Sequence, residues 1–461
     1  MRLLCLALSL SATLVAEVDV QRRTAYPQLY ALTELARSAA PEFAARGLLQ
    51  LLEGQAFPDN DWQLEIAHEV LILAAAARHP VAQRLAPGIT AADNRAMLWH
   101  VAYGQGLDRL SLSLRAIEHI RRLRPEGAKE AFIRLPRPVA SQDTCKDAIL
   151  DDVSAWFQMA SRLQMDPLPL IESMTTHGEI APAIDLIFSA GVLDLHAGAL
   201  ARKLRELPAN DRPFNAALFH SPRKLHHLYM ILTSQDRPAA ALGDAFRGWM
   251  QAGLEAPACQ ESRVPGPQEQ ARRDAFNLFN ESFEPKLALE LLKPSGAPDP
   301  TILHPFAASE STREQERLFK RLLFGNNSRG LSRTEKDTPE WRESMQKFMQ
   351  SIEGRTRSAE ESDIEFFYRQ SQLWAGVLMA APAGPTRDRA LNQYISLLLA
   401  NAPHIDPLIW FSQVEFMAEV TRSLHGDEFA KTLTALHLTA HPALQLYAEL
   451  ESAYPSRPRV N

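Results

Sequence analysis

The histidines near the C-terminal end of the chain have a spacing that a metal site could use. His437 and His441 are four residues apart, so on a helix both imidazoles would face one way, as two zinc ligands must. His425 lies shortly before them and is followed by two acidic residues. The proline after His441 predicts that the helix ends there, where the helix dipole stabilises a histidine without any metal. The sequence therefore disfavours a metal site and leaves His425, His437 and His441 as its candidate ligands.

Two other short patterns resemble catalytic motifs only in part. Ser221 and Lys224 have the SxxK spacing of a serine activated by a lysine, but Pro222 also makes Ser221 a good helix N-cap. His68 and Glu69 begin a zincin motif, yet an isoleucine occupies the position of the second histidine. The chain has no phosphate-binding loop and no nucleophile elbow. We therefore predict no catalytic residue and no cofactor.

A run of carboxylates follows Ser358, and it could be taken for an acid–base pair. Ser358 and Glu361 have the spacing of a capping box, which predicts a helix that opens at Ser358. Carboxylates in the first turns of a helix are stabilised by its dipole. A solvated helix start is therefore the expected role of this run, which comprises Glu360, Glu361, Asp363 and Glu365.

The elements that would position these side chains are helical almost everywhere. Apolar residues recur at three- and four-residue steps, as in the stretches 62–77, 149–163 and 410–424. An N-cap acceptor stands before proline at Asp166, Thr338 and Asp406, which predicts three helix starts. Four glycines follow apolar runs and predict left-handed helix ends: Gly54, Gly253, Gly354 and Gly426. The fold class is therefore all-α.

About twenty helices joined by short links predict an irregular array of antiparallel helical hairpins, either α-solenoid-like or a multi-helix bundle. No fixed repeat of 34 or 40 residues is present, so the array is irregular. A proline-rich stretch near residue 262 predicts the boundary between an N-terminal helical domain, residues 17–262, and a C-terminal helical domain, residues 263–461. Of the two architectures, an open array is the expected one.

Composition and charge exclude several classes of protein. The 461 residues include 46% hydrophobic and 23% charged residues, as in ordinary globular proteins. Lys and Arg number 49 against 55 Asp and Glu, a net charge of −6 that disfavours nucleic-acid binding.

The first residues predict export. One arginine precedes the uncharged apolar run Leu3–Ala16, which is too short to span a membrane as a helix and is typical of a signal peptide. We therefore expect residues 1–16 to be removed, a secreted or periplasmic protein, and no integral membrane segment in the mature chain. Cys145 and Cys259 would remain, and in an open array we expect two free thiols.

Two classes of function fit these features. The first is a non-catalytic exported helical scaffold that binds a protein or peptide partner. The second is an exported enzyme built as an α/α toroid that acts on polysaccharide or peptidoglycan. The low content of Trp, Tyr and Gly, residues that sugar-binding sites use for stacking and loops, favours the first.

Overall fold

The computed structural model describes most of the chain between residues 20 and 455. The described residues are 20–85, 95–137, 149–177, 179–190, 193–206, 222–234, 240–255, 274, 276–281, 315, 317–322, 336, 338–359 and 361–455. The predicted signal peptide, the boundary near residue 262, and both Cys145 and Cys259 lie outside these residues, so they remain predictions.

Helices make up nearly all of the regular secondary structure of the described residues, which confirms the all-α fold class. In chain order they are α1 Pro27–Arg37, α2 Pro41–Glu53, α3 Asn60–Ala75, α4 Arg95–Tyr103, α5 Arg109–Leu123, α6 Pro125–Ile133, α7 Ser154–Arg162, α8 Pro167–Thr176, α9 Ile180–Ala190, α10 Leu193–Glu206, α11 Pro222–Ser234, α12 Ala240–Glu255, α13 Pro339–Glu353, α14 Asp363–Ala380, α15 Pro385–Asn401, α16 Pro407–Ser423, α17 Glu428–His437 and α18 Pro442–Ala453. Two short strands, β1 Gln83–Leu85 and β2 Ile149–Asp151, pair antiparallel with Gln83 opposite Asp151.

Three of the four predicted N-caps before proline are confirmed, and the fourth, Ser221, lies outside the described residues. Asp166 accepts from the Leu168 amide at 3.1 Å, and Asp406 accepts from the Leu408 amide at 3.0 Å. Thr338 accepts from the amide of Trp341 at 3.2 Å. These contacts satisfy amides that lack a partner in the first turn of a helix.

Three local predictions are wrong. Helix α14 opens at Ser362, which forms the capping box with Glu365, because Ser358 lies in a turn before the helix. Gly54 and Gly354 have φ values of −76° and −82°, so neither glycine is left-handed. The left-handed residue after α2 is Gln55, with φ of 54°, and Gly426 has φ of 97° as predicted. The apolar run from residue 149 is not one helix, since its first three residues form β2 and the helix begins at Ser154.

The chain divides into two compact units, and the first combines both ends of the described chain. Its described residues fall within Met1–Pro80, Gly106–Arg124 and Ser309–Asn461. Helix α2 packs on α3 and α5, α14 packs on α15 and α16, and both α1 and α2 contact α18. A strictly linear array, in which each hairpin touches only its neighbours, does not describe this unit.

One part of the core of the first unit lies where aromatic residues of α2 and α16 meet. Trp410 is 1% exposed, and its indole N–H donates to the Leu398 carbonyl at 2.8 Å. The ring of Phe43 lies 5.6 Å from that of Trp410, a distance typical of packed aromatic pairs. The apolar stripes predicted on α3 and α16 are part of this core, with Trp62, Ile66, Val70, Val414 and Met417 buried.

The second unit contains the two strands and the helices of the middle of the chain. Its described residues fall within Val81–Gln105 and Pro125–Ala308. Helix α8 packs against α7, α9 and α10, while α9 also contacts α11, and α12 packs on α10. Trp156 is buried as predicted, with its ring 4.9 Å from Phe132 and 5.3 Å from Phe157.

Candidate functional site

A groove of about 440 Å³ lies on the second unit. It is bounded by α7, α8 and α9. Its lining combines apolar with hydroxyl, amide and charged side chains: Ser154, Phe157, Gln158, Ser161, Arg162, Met174, Glu179, Pro182, Asp185, Leu186 and Ser189. We refer to this site as the α7–α9 groove.

Helix α7 presents one polar face to the groove. Asp152 accepts hydrogen bonds from the amide and the hydroxyl of Ser154, at 3.1 and 2.6 Å, which fixes the start of the helix. From that start, Gln158 and Arg162 follow at steps of four residues and therefore lie on the same face as Ser154. The opposite face carries Trp156 into the core.

Glu179 precedes α9 and is the carboxylate of the groove whose pKa is shifted from its ordinary value. Its side chain is 12% exposed and receives a hydrogen bond from Arg84 at 3.1 Å. Burial raises the pKa of Glu179, the nearby charge of Asp152 raises it further, and the positive charge of Arg84 acts in the opposite direction. The net result is a carboxyl group that binds its proton more readily than an exposed glutamate.

Several other polar groups of the groove already have internal partners. Asp185 forms an ion pair with Lys224 of α11 at 2.6 Å. The hydroxyls of Ser161 and Ser189 donate to the carbonyls of Phe157 and Leu186, both at 3.0 Å. These hydroxyl oxygens can still accept a hydrogen bond, because donation leaves their lone pairs available.

Gln158 and Arg162 are exposed and differ from their neighbours in the groove. No ion pair or side-chain hydrogen bond joins either of them to another described residue. Gln158 can both donate and accept, and Arg162 carries five N–H donors in a planar fork. The groove therefore holds hydrogen-bonding capacity that the described fold does not use.

Sequence reasoning missed this groove, although one signal was present. The polar positions 154, 158, 161 and 162 recur at helical spacing opposite the apolar stripe of α7. Such a stripe is typical of any solvated helix face. Its concave setting comes from α8 and α9, which no local pattern relates to α7.

The structure separates the three candidate metal ligands. Helix α17 ends at His437, and His441 is the N-cap of α18, so the two histidines do not share a helix face. The Nδ1 atom of His437 lies 2.9 Å from a Glu449 carboxylate oxygen, and the ring of His441 lies 4.9 Å from that of Trp410. His425 is exposed. Within the described ranges, no group of three or more potential ligands has the geometry to hold a metal ion.

The partial catalytic motifs are also accounted for by local contacts. The imidazole of His68 contacts the Leu64 carbonyl at 2.7 Å, and Glu69 pairs with Arg37 at 2.7 Å. Ser221 lies outside the described residues. Lys224, its potential partner, pairs with Asp185.

The expectation of a solvated start for the acidic run near residue 360 is wrong for two of its members. Glu361 is 3% exposed and forms an ion pair with Arg355 at 2.7 Å. Glu365 is equally buried, as part of the capping box with Ser362. Both carboxylates are held by internal partners, which fits a role in the packing of α14.

A partly buried polar cluster in the first unit could not be predicted from sequence. Arg46 of α2 pairs with Glu415 of α16, and its guanidinium lies 4.4 Å from the ring centre of Phe411. Glu451 of α18 accepts from Arg422 at 2.7 Å. The members of the first pair are 369 residues apart in the chain.

Comparison with known proteins found no similarity that bears on these features: no protein-family model, no curated protein and no solved structure matches this chain. None of the helices in the described part of the chain combines the length and the apolar character needed to cross a membrane.

Proposed function

We propose that this protein is an exported, non-catalytic helical binding protein whose α7–α9 groove takes a short segment of a partner protein. The observation that carries the proposal is the combination of apolar lining and unused hydrogen-bonding groups in one concave site. Binding sites of this kind bury apolar ligand surface and use a few polar groups to orient it.

The chemistry of the groove suits a peptide. Pro182 and Leu186 offer partly exposed apolar surface for a side chain. A bound main chain must also satisfy its own N–H and C=O groups. Gln158 supplies a donor and an acceptor for one peptide unit, and the hydroxyl oxygens of Ser161 and Ser189 supply further acceptors.

An enzyme acting on glycans is the second candidate function, and Glu179 is the observation that favours it. A carboxyl group with a raised pKa in a groove could act as a general acid. Phe157 is the one aromatic residue among the described lining residues, and at 1% exposure it offers no surface for stacking a sugar ring. Ion pairs to Arg84 and Lys224 also engage both carboxylates of the groove. These contacts favour binding over hydrolysis.

Export is proposed on the strength of the apolar run Leu3–Ala16. We expect the protein purified from its native host to begin at or near Glu17 and to be found outside the cytoplasm. N-terminal sequencing checks the first point. An intact Met1 in a cytosolic fraction would contradict this part of the proposal.

Selection of binders from a random library of displayed twelve-residue peptides tests the groove. We expect peptides that bind the full chain and lose affinity by about tenfold or more, roughly 1.4 kcal/mol, with Ser189→Trp, which fills the groove. Thr233→Trp is the matched control, because Thr233 is an exposed helical hydroxyl residue of α11 outside the lining. If no peptide discriminates between these two variants, the groove is not a peptide site.

A further inference from the structure

The charges of the α7–α9 groove are unequally compensated. Three charged side chains line it, and two of them have partners: Glu179 pairs with Arg84, and Asp185 pairs with Lys224. Arg162 is exposed at the end of α7 and forms no ion pair with a described residue. The uncompensated charge of the groove is therefore a single guanidinium group.

We propose that the groove selects a peptide segment carrying an acidic side chain, and that Arg162 binds this carboxylate. This inference rests on the proposed peptide-binding function and names the ligand chemistry of the same site. A guanidinium group matches a carboxylate with two parallel hydrogen bonds, which supplies geometry as well as charge. A basic segment would bring like charge to Arg162, while Glu179 and Asp185 are already neutralised by their partners.

The spacing on α7 defines where the acidic residue must lie. Gln158 is one helical turn before Arg162, a distance of about 5.4–6 Å along the helix axis. An extended peptide advances about 3.3 Å per residue. A peptide unit paired with Gln158 therefore places the side chain one or two residues further along within reach of Arg162.

An acidic side chain fits this site better than the carboxylate of a chain end. Capture of a free C-terminus commonly uses a nest of main-chain N–H groups. Gln158 and Arg162 lie inside α7, where those groups bond to carbonyls one turn earlier. The rim of the groove therefore recognises its ligand mainly through side chains, which suits a residue within a continuing segment.

The test uses fluorescein-labelled peptides made from the selected binders, with acetylated and amidated ends, in matched Asp and Asn forms. Fluorescence anisotropy measures their affinity for the full chain and its variants. We expect Arg162→Gln to weaken the Asp form about tenfold and the Asn form less than twofold, the signature of a direct pair in a double-mutant cycle. Arg162→Lys should recover part of the loss, since it restores the charge without the planar fork.

Arg134→Gln is the matched control, because Arg134 is an exposed arginine of the same unit outside the groove lining. A third peptide, with the Asn form and a free C-terminal carboxylate, should bind no better than the amidated Asn form. Groove-dependent peptides that bind equally well as Asp and Asn forms would overturn the acidic preference and leave the peptide site intact. Tighter binding of the Asn peptide with a free C-terminus than of the amidated Asn peptide would overturn the inference that the bound carboxylate belongs to a side chain. Failure to find any peptide sensitive to Ser189→Trp would overturn both proposals.

Discussion

The contact of α2 with α16 and α18 in the first unit and the α7–α9 groove of the second unit use the same kinds of residue in opposite ways. In the first, Arg46 and Glu415 are mostly buried and paired with each other, and Arg46 also packs on Phe411. In the second, Arg162 is exposed and has no partner among the described residues. Gln158, one turn before it, is also exposed and forms no side-chain hydrogen bond with a described residue.

The difference shows that the role of a polar residue depends on the free energy needed to leave it without a partner at its position. A buried guanidinium must be paired, because an unpaired buried charge is strongly destabilising. An exposed one costs little to leave unpaired, since water solvates it. Exposed polar groups without a partner in a concave site therefore destabilise the fold little and can bind a ligand. For this reason the groove, and not the polar cluster around Arg46, is the candidate site.

The largest expected effect is on the aromatic core beside the polar cluster around Arg46. Trp410→Ala should lower the free energy of unfolding of the first unit by about 3–5 kcal/mol, because it removes a fully buried ring and the donor to Leu398. Chemical denaturation followed by circular dichroism measures the change. Trp156→Ala, under the groove, should cost about as much in the second unit, since Trp156 is 7% exposed. A change within about 0.5 kcal/mol at either position would mean that the ring does not pack as described.

Breaking the partly buried ion pair between Arg46 and Glu415 should come next. Arg46→Ala should destabilise the first unit by about 2–4 kcal/mol, because it leaves Glu415 in a partly buried position without this partner and removes the contact with Phe411. Denaturant titration measures it. Arg46→Met keeps the packing against Phe411 and should recover part of the loss. An Arg46→Ala variant as stable as the wild type would mean that this pair contributes no more to the free energy of unfolding than a surface ion pair does.

A smaller and pH-dependent effect is expected at Glu179. Burial raises the pKa of this carboxyl group, so ionised Glu179 opposes folding as the pH rises through that pKa. The wild type should be most favoured relative to Glu179→Gln at low pH, and should lose that stability toward pH 8. Thermal unfolding of the two proteins between pH 4 and pH 8 checks the sign of the difference.

Glu118 in the first unit is the control of opposite sign. A hydrogen bond from Arg121, with a smaller contribution from Arg122, lowers the pKa of Glu118 to about 2. The wild type should therefore be favoured over Glu118→Gln at neutral pH and lose this advantage as the pH falls toward 2. The same direction of pH dependence for both variants would refute the environment assigned to one of the two carboxylates.

The smallest expected effect is on stability at the groove rim. Arg162→Ala should change the free energy of unfolding by less than about 0.5 kcal/mol, the usual size for an exposed side chain. Denaturant titration next to Arg46→Ala compares the two arginines directly. A loss of unfolding free energy close to that of Arg46→Ala would show that Arg162 has a structural partner. The two regions would then not differ in how they use an arginine.

Several local predictions from sequence held where a single residue and its near neighbours decide the outcome. Asp166, Thr338 and Asp406 cap their helices because each side chain reaches an amide two or three residues ahead. Ser358 failed under the same rule, since Ser362 and Glu365 offer an equivalent box four residues later. Two nearby capping boxes cannot be ranked by spacing alone, and the packing of α14 decides which one is used.

Predictions that depended on how two segments of the chain are placed in space were less successful. His437 and His441 satisfy helical spacing, but the helix ends four residues earlier than expected, and the two imidazoles belong to different helices. The run from residue 149 has an apolar stripe that continues into α7, yet its first residues pair with β1, far away in sequence. Periodicity describes a stripe and not the partner that covers it.

The sequence by itself determined the helical class, the main apolar faces and many helix starts, because these depend on interactions within about one turn of the chain. Tertiary structure alone decided that Arg46 meets Glu415, that burial raises the pKa of Glu179, and that α7, α8 and α9 enclose a groove. These features depend on which helices lie side by side. Many helix pairings can bury the same apolar stripe, so the stripe does not specify its neighbour, and the chemistry of the site is settled only when the helices pack.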